Sequence, residues 1–182
     1  MTLRDAFIRY DVPQWVRRNM MKRLARLTAD AFGTAPPGLG GLKSASALRR
    51  YALFTREEVS RIAGDPARTA AVRERLYRAS AATASSYRRL FGVTHWEASA
   101  AVARRFYGYI GIDMEATPRG DITFRSCAFS RYFTPETCAV VSALDSGMIA
   151  GLAGEGDLTF SSRITEGAPC CRACFRYRRP QR

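Results

Sequence analysis

The chain has one histidine, two lysines among its 29 basic residues, and no cysteine before position 127. Each scarcity excludes something. A Ser-His-Asp or Cys-His arrangement would have to rest on His95 alone. No stretch approaches the roughly 20 uninterrupted apolar residues of a membrane span. There is no glycine-rich phosphate loop of accepted spacing, no recognition helix and no aromatic RNA-binding motif. The first residues, MTLRDAFIRYDVPQW, carry charge throughout and lack the apolar block of a signal peptide. The expectation is a cytoplasmic protein with no membrane partner, whose cysteines are thiols or metal ligands rather than disulfides.

What is present reads as a folded globule. A 182-residue chain with 47% apolar and 11% aromatic residues can bury a real core, and no linker splits it, so one domain is expected over 1–182. The net charge is +13. The arginines are scattered rather than gathered into a nucleic-acid motif, so the charge favours solvated surface and attraction of anionic small molecules. Nucleic-acid binding through the arginines is a third reading, and a homodimer is compatible with the composition.

Hydrophobic spacing predicts a helix over 15–32 with Trp15, Val16, Met20, Leu24, Leu27 and Ala31 near one face. The APPGLGG cluster at 35–41 ends it. Short helices follow over 45–53 and from Thr55, which forms a capping box with Glu58. Asp65 and Pro66 start a long helix to about Phe91. Thr94 and Glu97 form a second capping box, opening a helix to Tyr109 with Trp96, Ala100, Ala103, Phe106 and Tyr107 as core. After this helical part, 1–110, the pattern changes. Residues 121–127 alternate as a strand, with Ile122 and Phe124 on one face. Thr134-Pro135-Glu136 starts a helix to about Leu152. Residues 157–165 and 170–178 read as a hairpin about a turn at 166–169. Its expected pairs are Ile164 with Cys171, Ser162 with Ala173, Phe160 with Phe175 and Leu158 with Tyr177. The fold class is therefore α+β (α/β): helices packed on a small antiparallel sheet, ending in a helix plus hairpin.

The chemistry gathers in the last third. At about 100° per residue, Cys138, Ser142 and Asp145 share an apolar face of the 137–152 helix with Ile149 and Leu152. A carboxylate there is costly unless it is paired, protonated or used. Cys138 lies near a helix N-terminus, which lowers a thiol pKa and makes it a candidate nucleophile. Cys171 points inward on its strand, and Cys127 ends another. Cys170 and Cys174 fall on the wetter face with Arg172, Arg176 and Arg178. The spacing Cys171-x-x-Cys174 leaves a zinc site open, with Cys127 and Cys138 completing four thiolates. Against it, a strand puts Cys171 and Cys174 on opposite faces. Gly147 and Gly151 mark close approach of another element.

The order Cys138, Asp145, Gly147, Gly151, Ile164-Thr-Glu-Gly167, Cys171 and Phe175 resembles the L-2-amino-thiazoline-4-carboxylate hydrolase family and the related 4-vinyl-reductase-type small-molecule-binding domain. The likeness covers about 127–177, under a third of the chain. It implies helices on a small antiparallel sheet with a pocket between. The hydrolase branch would open a C–N/C–S bond of a small polar or anionic ring; the sensor branch would only bind a ligand. The expected catalytic residues are Cys138 or Cys171 as nucleophile and Asp145 as acid/base or anchor of a substrate nitrogen. Cys127, Ser142 and His95 are candidate substrate contacts. No cofactor is expected on this reading; zinc is the alternative.

Overall fold

The computed structural model describes residues 2–177. Five helices come first: α1 (Leu3–Arg9), α2 (Gln14–Phe32), α3 (Ser44–Ile62), α4 (Pro66–Leu90) and α5 (Trp96–Tyr109). Strands β1 (Ile112–Ala116) and β2 (Asp121–Cys127) follow, then α6 (Pro135–Ala153), β3 (Gly156–Ser162) and β4 (Cys171–Tyr177). The four strands form one antiparallel sheet in the order β1-β2-β4-β3. This is the expected α+β arrangement of N-terminal helices on a small sheet.

Local chemistry explains most boundaries. Asp65 accepts from the Arg68 amide and Pro66 fills the first turn of α4. Thr134 caps α6 through the Thr137 amide, again with proline at the first position. Thr2 and Asp5 close a capping box on α1.

Several expectations are corrected. The two short helices around 45–62 are one continuous α3, because nothing between them breaks the ladder. Thr55 lies inside it and donates its hydroxyl to the Tyr51 carbonyl instead of capping. The α5 cap is His95, whose ring nitrogen accepts from the Ala98 amide, not Thr94. Trp15 is 66% exposed, so the buried face of α2 runs through Met21, Ala25, Thr28, Ala29, Ala31 and Phe32. Strand β1 was not foreseen; its five residues pair with β2 across an irregularity at Asp113 and Met114. The hairpin register differs by two residues: Phe160 pairs with Ala173, Leu158 with Phe175 and Gly156 with Tyr177. A two-residue offset keeps every side chain on its face. It arises because β3 stops at Ser162 and a 3-10 turn, Ile164–Glu166, lengthens the connection. Cys171, Ala173 and Phe175 therefore remain buried while Arg172 and Arg176 remain exposed. Arg178 lies outside the described residues.

Helix α6 is central. By length and composition it could cross a membrane, yet it is a core helix wedged between α4 and the sheet. Its small face makes this possible. A Cβ on Gly147 would run into the Tyr77 carbonyl oxygen and lie 2.9 Å from Ser80 Cβ, and one on Gly151 would meet the Ala81 carbonyl and Ala84. Ser80 seals the contact by donating to the Leu144 carbonyl at 2.8 Å. On the other side, Trp96 of α5 stacks on Phe175 at 5.2 Å, and Tyr107 meets Phe124 edge-on at 5.4 Å. The close α4–α6 contact and the aromatic α5–sheet layer hold Asp145 at the junction of helices and sheet.

Candidate active site

Asp145 lies halfway along α6. Its Oδ1 accepts a 2.9 Å hydrogen bond from the Tyr107 hydroxyl of α5. No described residue donates to its second oxygen. Burial pushes the carboxyl up from 3.8 to about 6, against the lowering effects of Tyr107 and the more distant Arg163. Tyr107 is itself pushed well above 10.0 by burial and by the facing carboxylate, so it stays a donor.

On one side of this pair is a cavity of about 110 Å³ between α2, α4, α5 and α6. Its wall is mainly apolar: Met20, Leu24, Leu27, Phe106, Leu144 and Met148. Asp145 is its one carboxylate and Arg23 its one cation. Arg23 is exposed, with Nη1 3.4 Å from the Tyr87 hydroxyl and its guanidinium over that ring at 5.7 Å. An engineered apolar cavity of about 150 Å³ holds benzene, so this space suits a small ring rather than a long chain.

The thiols approach Asp145 from the sheet side. Cys127 at the end of β2, Cys138 in the first turns of α6 and Cys171 on β4 all feel the Asp145 charge. None lines the cavity. The helix N-terminus does not activate Cys138 as expected. Burial dominates and pushes it up to about 11, with Asp145 reinforcing and the nearby Thr165 and Arg163 opposing. Burial likewise lifts Cys127 to about 12 and raises Cys171, whose sulfur accepts from the Ile164 amide at 3.3 Å. These thiols are held protonated near neutrality, a poor condition for a nucleophile.

The other expected residues separate. Ser142 is buried, but its hydroxyl donates to the Ala139 carbonyl of its own helix and does not line the cavity. His95 is exposed at the start of α5, 3.1 Å from Glu97, and is not brought to Asp145. Cys174 faces away from Cys171 across β4. Among the described residues no group of three or more His, Cys, Asp or Glu side chains could hold a metal ion, so the four-thiolate set is not assembled.

No family model, curated protein or solved structure matches the chain.

Two residues that act on the Asp145 carboxyl escaped the sequence. Tyr107 was visible only as a core aromatic; its hydroxyl gains meaning from the α5–α6 crossing. Arg163 follows β3 with its side chain 19% exposed, packs over Phe160 at 4.9 Å and pairs with Glu166 at 3.2 Å. No short sequence pattern links either residue to position 145.

Proposed function

We propose that this protein binds a small cyclic molecule with a basic nitrogen in the α2/α4/α5/α6 cavity, and that Asp145 handles its proton. The supporting observation is a carboxyl with one oxygen held by Tyr107 and the other unpartnered, at the wall of an otherwise apolar cavity. An amidine-type N–H donating to the free oxygen would give it a charge-assisted hydrogen bond.

The resemblance to the thiazoline-carboxylate hydrolase family suggests the chemistry. Water adds to the amidine carbon while Asp145, as carboxylate, takes a water proton. The same carboxyl then returns that proton to the nitrogen or sulfur as its bond to carbon breaks. A carboxyl titrating at about 6 suits both halves of that cycle near neutrality. No thiolate is needed, in keeping with the raised Cys127, Cys138 and Cys171. Arg23 at the same cavity offers a charge for an acidic substituent on the ring.

The test is direct. Purified protein is incubated with 2-amino-2-thiazoline and its 4-carboxylate, with binding followed by calorimetry and ring opening by mass. Wild type is expected to bind at least one of them. Asp145→Asn and the cavity-filling Leu27→Phe are expected to lose that binding, while Cys138→Ser and Cys171→Ser keep it. Binding that survives Asp145→Asn, or that fails in both cysteine variants while they remain folded, overturns the assignment. Binding without turnover would favour the sensor-type module, which the protonated thiols also permit.

A further inference from the structure

A second concave site lies on the opposite face of α2. A cleft of about 360 Å³ runs between α2, the 39–42 segment, the start of α3 and the end of α5. Three cations line it, Arg17, Arg18 and Lys22, and no carboxylate does. Arg17 is ion-paired to Asp11 at 3.2 Å from outside this lining and lies over the Tyr109 ring at 4.9 Å. Arg18 and Lys22 are exposed and make no ion pair with a described residue.

Two residues of this wall each carry a polar atom that is closed off from solvent and lacks a hydrogen-bond partner among the described residues, Arg17 Nε and the Tyr109 hydroxyl, and both residues also border the neighbouring cleft beside Asp11. Leaving such a group unsatisfied costs about 1–3 kcal/mol. A solvated arginine surface would not create that debt. The same cleft contains Ser44 and Ala45, the first residues of α3, whose cap residue Lys43 gives no side-chain hydrogen bond. Their free amides add donors and positive helix-end potential to those of the side chains.

We propose that this cleft is a binding site for a phosphate-type oxyanion. The ligand class follows from the donors. Guanidinium groups, an ammonium and helix-end amides together suit a group with several acceptor oxygens and more than one negative charge. A monocarboxylate would leave part of that set unused. The site is separate from Asp145 and does not depend on the function proposed for it.

Nitrogen-15-labelled full-length protein is titrated with inorganic phosphate and with pyrophosphate at constant ionic strength, so that screening does not change. Saturable shifts are expected at the Gly41, Ser44 and Ala45 amides and the Arg17 Nε–H signal, with pyrophosphate the tighter ligand. The double variant Arg18→Gln/Lys22→Gln is expected to weaken pyrophosphate at least about tenfold, as loss of two charge-assisted contacts implies. Arg26→Gln/Arg56→Gln removes the same charge from exposed positions outside the cleft and is expected to stay within about twofold, by the weakness of screened distant charges. Equal weakening by both double variants, or shifts that never saturate, would overturn the site and leave only diffuse attraction to a basic protein. Phosphatidic-acid vesicles, with pyrophosphate as competitor, distinguish a lipid headgroup from a soluble phosphate. Binding lost in Arg18→Gln/Lys22→Gln supports the site in either arm.

Discussion

Replacing Asp145 with asparagine should stabilise the protein at neutral pH while removing the proposed ligand binding. The carboxyl titrates near 3.8 in an unfolded chain and at about 6 in the folded one. A raised folded value means that the native state holds the proton more tightly. Its stabilising contribution is therefore complete below about pH 4 and disappears as pH rises through 6. At about 1.4 kcal/mol per unit, ionising Asp145 costs the native state about 3 kcal/mol by pH 7.5. Asparagine has the same shape, still accepts from Tyr107 through its amide oxygen, and has no charge to bury. Urea unfolding of wild type and Asp145→Asn at pH 4, 5, 6, 7 and 7.5 tests this. Other carboxylates titrate in both proteins and cancel in the difference. The wild type should lose about 2.4 kcal/mol relative to the variant across that range, most of it between pH 4 and 6.5. Parallel stability curves would show that Asp145 is solvated or paired in the native state, and the proposed proton-handling role would lose its basis. A residue that weakens the fold at working pH is the pattern expected where activity opposes stability.

Three further outcomes follow from the same geometry. Tyr107→Phe removes the hydrogen bond that lowers the Asp145 carboxyl, so the pH midpoint of the stability loss should move above 6; an unchanged midpoint would mean that the bond does not form in solution. Native Cys127 and Cys138, pushed up to about 12 and 11, should alkylate on the order of 1000-fold and 100-fold more slowly, respectively, at pH 7 than a free thiol, in proportion to their thiolate fractions, as read by iodoacetamide labelling and peptide mass; rapid labelling of Cys138 would restore it as a nucleophile. Gly147→Ala forces a methyl against the Tyr77 carbonyl and Ser80 and should cost about 1–3 kcal/mol, seen as a lower melting temperature; an unchanged value would show that α4 and α6 separate easily.

The cysteines and Asp145 illustrate how far sequence spacing reached. Helical phase put Cys138 and Asp145 on one face, and strand alternation turned Cys171 inward and Cys174 outward; the structure keeps these placements despite the two-residue change in register. Phase says nothing about dielectric, however. The expected activation of Cys138 by its helix end is reversed by burial, because desolvation depends on what packs above the thiol. Ser142 shows the same limit: it occupies the right stripe, but its hydroxyl turns back to its own helix.

Periodicity, caps and breakers in the sequence determined α2, α4, α5 and α6, the helical character of 44–62 though not its continuity, three of the four strands, and the location of a carboxylate in an apolar stripe, because these are properties of neighbours along the chain; α1 was not among them. Tertiary structure alone decided that Tyr107 meets Asp145, that the thiols stay protonated, that the cavity opens toward α2 rather than the cysteines, and that Arg17, Arg18, Lys22 and the start of α3 line one cleft. Each of these depends on elements distant in sequence being pressed together, and on the loss of water that follows.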